Sequence, residues 1–142
     1  MKYKFLEEVA IADVAFESYG KTLRELFTNT AEALYETMAE TKTVEPLEKR
    51  TISLRNKDIE KLLYDFLSEI VFLKDRDSIV FRESDLEVTK IDDEYMLSAT
   101  LYCQPIDAEI QTLRADVKAV TMHMFKIEKS EDGYKATVVV DV

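Results

Sequence analysis

The stretch GYKATVVVDV, residues 133–142, sets the reading of this chain. Apolar and polar residues alternate through it, the period-two signature of a strand with one face on a core. Val138 and Val140 take the core side, and Asp141 points to the other. The pattern holds to the last letter, so Asp141 is expected to stand in a sheet beside the carboxylate of Val142. Two carboxylates one residue apart raise the question of what they hold.

Working outward, KSEDG (129–133) carries Asp132-Gly133, a strong tight-turn signal, and DVKAVTMHMFKIE (116–128) before it reads as the partner strand. Turning at Asp132-Gly133 pairs Glu131 with Tyr134, so that Phe125 faces Val140, Met124 faces Asp141 and His123 faces Val142. Val117, Ala119, Thr121, His123, Phe125 and Ile127 then share the core face. His123, the only histidine, is expected to be packed or half-buried, and a catalytic His123–Asp141 pair is geometrically awkward.

Further strands are expected at ADVAFESYG (12–20), EKRTISLRN (48–56), and a hairpin of IVFRESDLEVTKI (79–91) with EYMLSATLY (94–102) turning at Asp92-Asp93. Two helices interrupt them. KTLRELFTNTAEALYETMAE (21–40) sets Leu23, Leu26, Phe27, Thr30, Leu34 and Met38 on one side, with Thr22 and Glu25 as a capping box. NKDIEKLLYDFLSEIVFLK (56–74) does the same with Ile59, Leu62, Leu63, Phe66, Ile70 and Leu73, capped by Asn56 or Asp58. The fold class is α+β: a two-layer sandwich of two amphipathic helices on a mainly antiparallel sheet.

At 142 residues and 46% hydrophobic content, one domain over 1–142 accounts for the chain. No apolar run approaches a membrane span, and MKYKFLEEVA has glutamates where a signal peptide needs its apolar segment, so a cytoplasmic protein is expected. The net charge of −10 repels polyphosphate, which argues against direct nucleic-acid binding and for a metal cation or basic protein surface as partner. With two glycines set far apart, Gly20 and Gly133, no phosphate-cradling loop can form. Cys103 is alone, which excludes an internal disulfide and reads as a small core residue.

Carboxylates remain as the chemistry-bearing groups. Asp77, Asp85 and Glu94 read as solvated, whereas Asp13 and Asp141 each occupy a position within strand pattern. An acid there must lie near an edge, pair with a cation or coordinate metal, because burying it bare is costly. The residues alone leave open whether the two aspartates meet. Hard oxygen donors without a cysteine or histidine cluster would select calcium, magnesium or manganese over zinc.

Four blocks together resemble the archease family: ADVAFESYGKTLRELFTNTAEAL, TVEPLEKRTISLRNKDIEKLLYDFLSEIVF, VKAVTMHMFKIE and the closing YKATVVVDV. The resemblance spans essentially the whole chain. It implies a non-catalytic protein partner that promotes guanylylation and multiple turnover of an RtcB-type RNA ligase, the enzyme that seals tRNA halves in splicing. It also implies a divalent-metal site, with calcium the first choice and magnesium or manganese the alternatives. The ligands it implies are Asp13, Asp141 and the terminal residue Val142. The chain departs from the family pattern at Ala10-Ile11, where His-Thr is usual, at Cys103-Gln104 before Asp107, where Gly-Glu is common, and at Met122, where tyrosine is common. The missing histidine removes a possible hydrogen bond behind Asp13. The rival readings are a metal-dependent phosphoester hydrolase using Asp13, Asp141 and His123, a module binding a small apolar ligand between helices and sheet, and a general chaperone.

Overall fold

The computed structural model describes residues 1–7 and 13–142. Its elements in chain order are β1 (Tyr3–Phe5), β2 (Asp13–Gly20), α1 (Leu23–Met38), β3 (Glu48–Asn56), α2 (Ile59–Asp77), β4 (Ile79–Ile91), β5 (Glu94–Pro105), β6 (Ala119–Val120), β7 (Lys126–Ser130) and β8 (Gly133–Asp141), with a short 3-10 turn at Thr41–Thr43. All the strand pairings are antiparallel, and they form two sheets. One has the order β1-β2-β8-β6, with β7 also along β8; the other has the order β3-β5-β4. The α+β class therefore stands, with the antiparallel layer divided between two sheets.

Both helices begin where their caps lie. The Thr22 hydroxyl accepts from the Glu25 backbone N–H at 3.1 Å, and the Asp58 carboxylate accepts from that of Glu60 at 3.0 Å. Each satisfies a backbone donor that has no partner inside the helix. Leu26, Phe27, Leu34 and Met38 of α1 join Leu62, Leu63, Phe66 and Ile70 of α2 in one core with Phe16, Val138 and Val140. Fully burying each such side chain contributes about 1.5–3 kcal/mol. Polar contacts fix α1 onto β2: Asn29 Nδ2 donates to the Tyr19 carbonyl at 2.7 Å, and Ser18 bonds Thr30. Thr30 already donates to the Leu26 carbonyl, so Ser18 is the donor in that pair.

The β4–β5 hairpin turns at Asp92-Asp93 as expected, with Asp92 at φ 57°. The last hairpin differs from expectation. Its turn residues are Glu131-Asp132, with Ser130 opposite Gly133 and Lys129 opposite Tyr134, rather than Glu131 opposite Tyr134. Gly133 adopts φ 127°, and a Cβ there would stand 2.5 Å from the Gly20 carbonyl oxygen. That close approach requires glycine as the first residue of β8, which moves the turn back by one.

The strand expected over 116–128 is interrupted. β6 pairs Ala119 with Asp141 and Val120 with Val140; pairing resumes in β7 with Lys126 opposite Thr137. The chain thus advances six residues on this strand against three on β8, and three residues are looped out. Phe125 opposite Val140, Met124 opposite Asp141 and His123 opposite Val142 are all replaced by these pairings. Ala119 is exposed while Val120 is buried, so the expected core face fails there too. β1, at Tyr3–Phe5, carries no alternation long enough to be read from sequence.

Candidate functional site

β2 and β8 lie side by side over eight pairs, from Gly20–Tyr134 at one end to Asp13–Asp141 at the other. The two aspartates are directly opposed, and both are half-buried. Their position follows from the alternation: Val14, Phe16 and Ser18 face the helices with Val140, Val138 and Ala136, which turns Asp13 and Asp141 to the other face together. On the far edge of β8, Ala119 is opposite Asp141, and the Lys118 N–H donates to the Asp141 carbonyl at 2.8 Å. The end of β8 is thereby held on both edges. Val142 packs its side chain partly against the core.

Opposed like charges destabilise a strand pair. Elsewhere on this face the sheet compensates its acids. Glu17 accepts from the Tyr19 hydroxyl at 3.0 Å and lies 3.6 Å from Lys4 and 3.5 Å from Lys135. Its burial works to raise the carboxyl pKa, but those hydrogen bonds and lysines outweigh it and leave Glu17 below the usual range. Among the described residues, no lysine or arginine forms an ion pair with Asp13 or Asp141.

Cβ atoms of directly opposed residues stand about 4.5–5.5 Å apart, and calcium–oxygen bonds measure about 2.3–2.6 Å. Two such carboxylates can therefore hold one cation from opposite sides. Among the described residues no three His, Cys, Asp or Glu side chains come together as a cage, so a cation on the aspartate pair needs a donor of another kind.

The other candidates stand elsewhere. His123 is exposed in the looped-out turn, not packed or half-buried, because the strand that would have carried it inward breaks at residue 121. Cys103 is buried in β5, and burial pushes its thiol pKa up, as fits an inert core residue. Asp77, expected to be solvated, instead accepts from Arg76 Nε at 2.8 Å and Arg50 Nε at 2.9 Å. Those arginines hold its carboxyl far below the usual carboxylate range. It locks the end of α2 to β3, a link that strand and helix periodicity could not reveal. The departure at Ala10-Ile11 lies outside the described residues. A cleft lies at the opposite end of the β2–β8 pair, among Tyr19, Gly20, Lys21, Lys129 and Tyr134.

A sequence profile of the Archease protein family (MTH1598/TM1083) matches residues 3–142. The chain belongs to the archease family. Curated relatives named "Protein archease" include one from Methanosarcina barkeri, 37% identical over 99% of this chain and 96% of its own length. Another, from Archaeoglobus fulgidus, is 35% identical over the full length of both. The solution structure of Methanobacterium thermoautotrophicum protein 1598 superposes on this archease with a TM-score of 0.85, at 35% identity over 99% of this chain and 98% of that one. A crystal structure from Thermotoga maritima, described as an archease and possible chaperone, superposes at 0.65 with 18% identity over 94% and 93% of the two chains, which shows the shared fold. No helix among the described residues is long and apolar enough to cross a membrane.

Proposed function

We propose that this archease is a non-catalytic activator of an RtcB-type RNA ligase, promoting its guanylylation and repeated turnover through a carboxylate site of Asp13, Asp141 and the Val142 terminus. The observation that carries the site is the direct opposition of Asp13 and Asp141 at the pinned end of β8. A like-charged pair in register weakens the ladder unless a cation joins it, so its presence favours binding. Calcium suits the three hard oxygen donors, with magnesium or manganese as alternatives; once held, it supplies positive charge that the protein itself lacks there. In support, β2 and β8 set Asp13 opposite Asp141, and the Val142 side chain packs partly against the core. The ligase and its role come from the family resemblance, and the charge of −10 supports a protein or metal partner over the RNA itself.

Single-turnover guanylylation of the ligase, measured with wild type and with Asp141→Ala, tests this. Stimulation by wild type and its loss in the variant are expected; equal stimulation by both rejects the site. Phosphoester turnover by the chain and metal without any ligase would instead favour a hydrolase. The base that reading names stands elsewhere: among the described residues, His123 makes no hydrogen bond to either aspartate and lies outside the ladder.

A further inference from the structure

β6 is only two residues long, Ala119–Val120, and so short a strand is not held by its ladder alone. Yet it closes the far edge of β8 where Asp141 stands: Ala119 is opposite Asp141, and the Lys118 N–H donates to the Asp141 carbonyl. What fixes β6 lies outside the sheet, on α2. The Tyr64 hydroxyl donates to the Val120 carbonyl at 3.1 Å, and Phe125 packs edge-on against the Tyr64 ring. At the other end of the strand stands Lys74.

Among the described residues Lys74 is the one charged side chain that is buried, at 6% exposure. Its ammonium donates to Asp116 Oδ1 at 2.6 Å and to the Val117 carbonyl at 2.8 Å, and it lies 2.8 Å from Asp75 Oδ1. Its three protons therefore all have acceptors. Burial works to lower its pKa, but the hydrogen bonds to Asp116 and Asp75 outweigh it, so the head stays charged. For stability alone a buried ammonium is a poor choice, since an apolar side chain of like volume often does as well. What an apolar side chain cannot do is fix a backbone. Two of the acceptors, Asp116 and Val117, are the residues that lead into Lys118 and β6. Asp75 and Asp116 are exposed, so water can replace Lys74 for them; the buried Val117 carbonyl has no such substitute.

We propose that Lys74 is a positioning residue for the carboxylate site: with Tyr64 as the second anchor it clamps the backbone on either side of β6, and Lys118 passes that hold to the Asp141 carbonyl. The action runs through the backbone, because α2 packs on the core face of the sheet and the two aspartates turn to the other. Without the clamp the end of β8 is paired to β2 alone, and Asp141 is free to shift against Asp13. A cation shared by the two depends on that spacing. This rests on the carboxylate-site reading above and adds to it what keeps the two donors in place.

The experiment measures two quantities on the full chain, amide hydrogen exchange without metal and calcium affinity by calorimetry, for wild type, Lys74→Met, Asp116→Ala and Tyr64→Phe. In Lys74→Met the Lys118 amide should exchange faster while the β3–β5 ladder exchanges as in wild type, and calcium affinity should fall by about tenfold. Asp116→Ala and Tyr64→Phe, which each remove one polar partner, should move both quantities the same way by less. Faster Lys118 exchange with unchanged calcium affinity makes Lys74 a staple of the fold alone and overturns the proposal, as does wild-type behaviour in both quantities; either result leaves the carboxylate site in place. Should Lys74→Met fail to fold, the two milder variants decide by the same criteria. Absence of calcium, magnesium and manganese binding by wild type itself overturns the carboxylate site, and the positioning role with it.

Discussion

The two ends of the β2–β8 ladder use their residues in opposite ways. At one end the chain's two glycines meet: a Cβ on Gly20 would stand 2.3 Å from the Leu26 nitrogen, and one on Gly133 would press on the Gly20 carbonyl. At the other end two aspartates face each other in register. The glycine end is closed by contacts that admit no larger residue, so it serves the fold. The aspartate end places like charges together and so weakens the apo ladder, which is the behaviour expected of a binding site. With the proposed site at the aspartate end, stability and function would be separated along one pair of strands.

The sharpest way to break this contrast is Gly20→Ala. The added methyl meets backbone rather than a movable side chain, so unfolding in denaturant should show a loss of about 3 kcal/mol or more; a loss under about 1 kcal/mol would mean the glycine end is not the rigid one. Second, calcium at a hundredfold excess over its dissociation constant should stabilise wild type by about 2.7 kcal/mol, read as a rise in melting temperature. Asp13→Asn and Asp141→Asn should abolish that rise, and a C-terminal extension should reduce it.

A third test compares Asp141 with Asp77, a carboxylate that does have arginine partners. The pKa of Asp77 is depressed in the fold, so its contribution is present above the unfolded carboxylate pKa of about 3.9 and is lost as pH falls through the folded value. Wild type should therefore lose stability below about pH 4, and Asp77→Asn should show a shallower acid decline with a lower plateau at neutral pH. Parallel acid limbs for the two would show that the arginines contribute nothing. The smallest effect has the opposite sign. Without metal, Asp141→Asn should be more stable than wild type by about 0.2–1 kcal/mol, since it removes an opposed like charge; destabilisation would mean the aspartates already have a partner in the apo fold.

Much of the fold was readable because its signals are local. Thr22 and Asp58 announce helix starts through their own side chains, and Asp92-Asp93 turns a hairpin by its own backbone preference. Core residues such as Phe27 and Phe66 repeat at helical spacing. The last two strands were harder. DVKAVTMHMFKIE alternates well enough to read as one strand, yet nothing in its pattern shows that three residues leave the ladder. That break arises where β6 and β7 must each satisfy a different stretch of β8, one beside Asp141 and one beside the Gly133 turn. Asp77 differs from expectation for a related reason: besides its neighbour Arg76 it pairs with Arg50, which lies in another element.

For the candidate site, the sequence by itself determined that Asp13 and Asp141 both sit in strand pattern and that Asp141 points off the core face, because alternation depends only on neighbours along the chain. That the two stand opposite each other was decided by the tertiary structure, since register across β2 and β8 depends on contacts between residues more than a hundred positions apart. The fate of His123 was decided there too, because its exposure follows from how many residues fit between two anchored pairings, a length that no single strand encodes.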